Sequence, residues 1–208
     1  MKTCFHAVFL SLFLGGVAQA QNPAPPPQQR MLVMPEMGGW QYVTTENSRG
    51  VFTRNWVLKG ENGRDWTQMA VLTLVQSGLV PAAQLTGRFT ELFRKSCGTL
   101  DVLESSESTE TDRQAPPGSA ANYGTATLLL HCQDSTDPPR PDITLKKHEI
   151  VWLKALEGPG VSFLVQRNWH GDAITQDSFL RSDTMKKEWR EWFEGVKLET
   201  TVPASPRP

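Results

Sequence analysis

The chain has 208 residues, with 21 Lys and Arg against 22 Asp and Glu and a formal net charge of −1. So even a balance gives no reason to expect nucleic acid or an anionic membrane surface as the partner, because both select strongly basic faces. The length suits one domain with a proper core, and seven tryptophans against two tyrosines supply side chains that serve cores and binding surfaces alike.

In chain order, residues 1–20 read as a secretory signal peptide. Lys2 gives a positive start, Phe9, Leu10, Leu12, Phe13 and Leu14 fill an apolar run, and Ala18-Gln19-Ala20 has the small-x-small form of a cleavage site. The run is short of the roughly 20 apolar residues of a membrane span, and no later stretch reaches that length. No transmembrane segment is therefore expected after signal cleavage, and the expected location is periplasmic or secreted. Cys4 precedes the apolar run rather than following it as in a lipoprotein. Residues 21–38, with Pro23, Pro25, Pro26, Pro27 and Pro35, are expected to form a disordered leader, and residues 200–208 a loose tail. That leaves a single domain over residues 39–199.

Loss of Cys4 with the signal leaves Cys97 and Cys132. In an oxidising compartment a lone pair defaults to a disulfide. His131 is no base for Cys132, since neighbours in a strand point to opposite faces.

Three strands joined by tight turns are expected first, over 40–45, 51–59 and 66–75, the turns being Asn47-Ser48-Arg49-Gly50 and residues 60–65. A helix follows from Pro81, with Leu85, Phe89, Leu92 and Phe93 on one stripe and Gly98 as its stop. Gly87 within it suggests close packing. Residues 100–107 suggest a strand running into an exposed loop over 105–118. Residues 121–132 form a central strand, and 147–156 and 161–169 a second hairpin around Gly158-Pro159-Gly160. A last helix begins at Ser182-Asp183 and places Met185, Trp189, Trp192, Phe193 and Val196 on one face. The expected fold is α+β, an antiparallel sheet with two amphipathic helices packed on one face, in the order β-β-β-α-β-β-β-β-α.

No catalytic signature is present, so no catalytic residue, cofactor or metal ligand is assigned. His131, His148 and His170 are scattered without metal-ligand spacing. The acidic stretch Glu104, Glu107, Glu110 and Asp112 lacks the pattern of a calcium loop and reads as a solvated hairpin tip. The candidate binding surface comprises Trp40, Arg64, Trp66, Arg167, Trp169 and His170, where polar and aromatic groups mix at a strand end.

Trp66-Thr67-x-Met69, Cys97, Leu128-x-Leu130-x-Cys132, Phe163-x-Val165-Gln166-Arg167 and the Trp192-bearing helix resemble a group of small exported proteobacterial proteins. In that group a W-[TS]-x-M motif precedes two cysteines, a [YF]-x-V-Q-R-like strand and a Trp-containing final helix. The resemblance covers most of residues 40–198. The chain departs from the group in its long Pro-rich leader and in lacking a further C-terminal cysteine. The resemblance implies export and this order of elements, but no reaction. The element order is also similar to that of PsbP-like α/β/α sandwiches, which mostly serve as binding or assembly accessories, but this likeness is one of fold. The leading expectation is thus a non-enzymatic exported protein with a protein partner in the envelope. Two others stand beside it: an enzyme using Arg167, His170 and a carboxylate such as Asp65 or Asp172, and a carrier of a small ligand in an internal cavity.

Overall fold

A computed structural model describes residues 29–76, 80–115, 122–135, 148–158, 160–172, 174 and 178–201. The signal sequence, residues 21–28 of the leader and residues 202–208 lie outside the described residues, as does Pro159 of the second hairpin turn. The fold is α+β. Strands β2 (Trp40–Ser48), β3 (Val51–Leu58) and β4 (Gln68–Val75) form a meander, followed by helix α1 (Ala82–Arg94). Strands β5 (Cys97–Thr111), β6 (Asn122–Ser135), β7 (His148–Gly158) and β8 (Val161–Gly171) come next, then helix α2 (Asp183–Glu194). Every pairing in the seven-stranded sheet is antiparallel, in the order β2-β3-β4-β8-β7-β6-β5.

Two further strands, β1 (Gln29–Val33) and β9 (Lys197–Thr201), pair antiparallel as a separate ribbon. β1 lies in the stretch expected to be leader, so the folded unit begins before residue 39. Its sequence, QRMLV, is too short to signal a strand alone; the partner that makes it one arrives at the far end of the chain.

The helices lie on opposite faces of the sheet, not on one face as expected. Along β7, Ile150, Trp152 and Leu156 pack with Trp189, Phe193 and Val196 of the α2 segment, whereas Val151, Leu153 and Ala155 pack with Ala82 and Leu85 of α1. Consecutive strand residues point to opposite faces, so a strand apolar at both parities must be covered on both.

Ser182 caps α2, its side chain accepting from the Met185 N–H at 3.2 Å. α1 has no side-chain cap of its own; Glu157 of β7 accepts from the Ala82 N–H at 2.7 Å, placing a carboxylate at the positive helix end. Gly124 makes this possible, because a Cβ there would meet the Glu157 carboxylate at 2.5 Å. Gly87 has nothing within 4 Å of where its Cβ would stand, so the expected close packing is absent and α1 carries a mid-helix glycine that no neighbour requires. The helix ends at Arg94, and Gly98 lies inside β5 rather than stopping the helix.

Cys97 and Cys132 form a disulfide with Cα atoms 5.5 Å apart. It joins the start of β5 to β6 and so fixes the end of α1 against the sheet. A bridge closing a loop of 35 residues contributes roughly 4 kcal/mol in the chain-entropy account.

β5 corrects the expectation of a loop over 105–118: pairing with β6 continues to Thr111↔Asn122. Ser106 and Thr127 hydroxyls meet at 2.6 Å, and those of Ser108 and Thr125 at 2.7 Å. Such cross-strand hydroxyl pairs suit a sheet position with little apolar burial, where hydrophobic periodicity is silent.

Candidate binding site

Arg167 of β8 is 3 % exposed and sits on the α2 face. Its guanidinium lies 5.1 Å from the ring centre of Trp40, 4.9 Å from that of Trp189 and 5.6 Å from that of Trp192. It donates to Gln68 Oε1 at 3.1 Å and to Glu188 Oε1 at 3.3 Å. Burial lowers the pKa of the guanidinium, and Glu188 partly offsets this. The cation is thus spent on joining α2 to the β2 edge of the sheet, since a planar guanidinium can lie over aromatic faces while its edge bonds outward. Trp169, 7 % exposed, belongs to the same core, packed beside Gly171, where any side chain would strike its ring.

The six expected surface residues therefore divide. Trp40, Arg167 and Trp169 are on the α2 side, with Trp40 half-buried and the other two buried. Trp66 and His170 stack on each other with centroids 4.8 Å apart, and His170, an odd number of residues from Arg167 along β8, belongs to the opposite face. Arg64 is exposed in the turn before β4. The proposed acid–base set does not assemble: Arg167 and His170 are separated by the sheet, and Asp65 and Asp172 are exposed.

A different cluster lines a cleft larger than a second one at Leu103 and Glu104 of β5. The larger cleft, about 560 Å³, lies beside the end of β5, with Glu110, Tyr123, Glu194 and Lys197 among its walls. Lys154 of β7, 5 % exposed, donates to Val196 O at 2.7 Å and Phe193 O at 3.4 Å, and pairs with Glu110 Oε1 at 2.7 Å. Three acceptors meet its three N–H groups, and one of them, Phe193 O, is a last-turn carbonyl at the negative end of α2. Tyr123 donates to Glu110 Oε2 at 2.8 Å and accepts from the Leu198 N–H at 3.1 Å. Burial, reinforced by Glu110, pushes the Tyr123 pKa up to about 12, although the Leu198 N–H opposes the shift.

Asp112 adjoins this network and is 2 % exposed, accepting from Thr200 and pairing with Arg30 at 3.7 Å. Glu110 and Asp112 thus tie the β1–β9 ribbon and α2 to the sheet, which corrects the expectation of a solvated tip for these two residues, whereas Glu104 and Glu107 are exposed as expected. Nothing in the sequence spacing marks Lys154 as their partner. The one available signal is a lysine inside the apolar run IVWLKAL, where a charge needs a partner.

No protein-family model matches the chain, and no curated protein matches it. The geometry alone bears on function.

Of the three scattered histidines, two converge. His131 Nε2 and His148 Nδ1 are 3.1 Å apart, and Asp101 lies 3.7 Å from His131 Nδ1, itself held by Gln133. A separation that short requires one proton between the facing nitrogens. Among the described residues no group of three or more His, Cys, Asp or Glu is placed to hold a metal ion.

Burial, then the neighbouring His148, lowers the His131 pKa from 6.5, against a smaller opposing pull from Asp101. A histidine with a depressed folded pKa contributes stability that is complete above the unfolded value and lost as pH falls through the folded one. Urea unfolding midpoints are therefore expected to drop as pH falls below about 6.5, and His131→Gln should flatten that slope. An unchanged slope in the variant would assign the pH dependence elsewhere.

Proposed function

We propose that the protein is an exported binding or accessory protein of the cell envelope, acting through a protein partner rather than by catalysis. The supporting observation is how fully the Lys154, Glu110 and Tyr123 side chains are committed to one another. Lys154, Glu110 and Tyr123 satisfy each other and the end of α2, so Glu110 and Tyr123 in the wall of the larger cleft hold structure together rather than presenting a base or nucleophile. The Cys97–Cys132 bridge is compatible with export. So is the finding that no helix among the described residues is long and apolar enough to cross a membrane. Chemical crosslinking of the mature chain in envelope extracts should capture a defined protein partner. An empty capture alongside a positive hydrolase screen would overturn this reading.

The size of the larger cleft favours a second reading, carriage of a small polar ligand, since ligand clefts commonly run from about 300 to 1,000 Å³. Native mass spectrometry of envelope-purified protein distinguishes the two readings: a stoichiometric small-molecule adduct supports carriage.

A further inference from the structure

We infer that β5 is a docking edge for an extended, Lys- or Arg-bearing segment of a partner protein, which adds to the sheet as an eighth strand. The inference rests on the partner-binding reading above and gives it a surface and a chemistry.

β5 is the terminal strand of the sheet, pairing only with β6 among the described strands, and it is 15 residues long. Its outer row of backbone N–H and C=O groups is a template for one more strand. Exposed edges are commonly protected by charged side chains, lysine above all, by proline, by brevity or by bulges. β5 has no lysine or proline, and its only irregularity is a bulge between Val102 and Glu104.

The charge of the edge selects the partner. Glu104 and Glu107 lie exposed along it, Asp101 and Glu110 being held by Gln133 and Lys154, and there is no Lys or Arg anywhere in Cys97–Thr111. A second copy pairing through the same edge would bring like charges face to face, which is destabilising. A basic segment meets no such opposition. Because Glu104 and Glu107 are exposed on opposite faces of the strand, either parity of the incoming segment can carry a cation.

Position along the edge is marked as well. Near its bulge, β5 borders the smaller cleft, about 210 Å³, whose apolar wall is Leu129, Trp152, Phe179 and Leu180 and whose other wall carries Lys186 and Arg190. Leu103 at its rim is 42 % exposed and the adjoining Val102 50 %. This is a receptacle for one bulky apolar side chain. At Glu110 and Thr111 the edge reaches the larger cleft. The two clefts lie roughly 20 Å apart along the strand, so one extended segment can address both. Arg113 and Lys197 also line the larger cleft, so the preference for cations comes from the strand itself.

The test uses the full mature chain and a fluorescein-labelled ten-residue probe of Thr and Val carrying one Leu and three Lys, with a companion in which Glu replaces Lys. Fluorescence polarisation at low salt should show the Lys probe binding at least tenfold more tightly. N-methylation of alternate amides along one edge of the probe should abolish binding, while methylation along the other edge leaves it intact. Charge reversal by Glu104→Lys with Glu107→Lys should invert the preference between the probes, with thermal melting confirming that the variant remains folded. Leu103→Ser should weaken the Lys probe several-fold.

Absence of binding by the Lys probe, indifference to both methylation patterns, or an unchanged preference after charge reversal each overturns the inference. If crosslinking captures an envelope partner while the probes fail, the accessory reading stands and the edge proposal falls. Selective probe binding with an empty capture gives the reverse.

Discussion

Lys154→Met is expected to destabilise the domain by about 3–5 kcal/mol, the usual cost of removing one member of a buried ion pair. The variant leaves Glu110, partly buried, without its cation and the Phe193 and Val196 carbonyls without their donor. It acts on α2, the β6–β7 region and the β9 approach at once, so the loss should appear as a lower urea midpoint with an unchanged slope. Lys154→Met combined with Glu110→Gln should recover part of the loss, because the stranded charge goes with its partner. A single-variant loss under about 1 kcal/mol would mean that the network is incidental to stability.

Arg167→Lys is expected to cost about 2–3 kcal/mol even though the charge is kept. A lysine can place a point charge near the rings, but it cannot lie flat among Trp40, Trp189 and Trp192 while also bonding Gln68 and Glu188. The loss should be accompanied by a red shift in tryptophan emission as water reaches the rings. Equal stability and an unshifted spectrum would show that the charge alone matters. Glu188→Gln should have a smaller effect, because its side chain is 64 % exposed and screened by solvent.

Much of this architecture was legible in the sequence, and the reasons are local. The stripe from Met185 to Val196 and the cap at Ser182 define α2 because a helix period and a capping residue need no distant partner. The meander over β2 to β4 and the hairpin of β7 and β8 follow from apolar runs between turns. Even the placement of the helices on both faces was present in the run IVWLKAL, apolar at both parities but for Lys154, although helical periodicity alone does not say which face each helix covers.

What could not be read depends on contacts distant in sequence. β1 becomes a strand because β9 pairs with it, and the far half of β5 because β6 lies beside it. Of the expected site, Trp40 and Arg167 do meet, though as internal mortar rather than a rim. The Lys154–Glu110 pair and the two facing histidines join side chains whose only connection is register across neighbouring strands or packing at the end of a helix.

The β1–β9 ribbon has a further consequence. Its pairing sets Gln29 directly against Thr201, so the polypeptide enters and leaves the domain through a single doorway. Whatever precedes Gln29 and whatever follows Thr201 is anchored at the same pole. A pull applied to the two ends would unzip this short ribbon first and reach the seven-stranded sheet only afterwards.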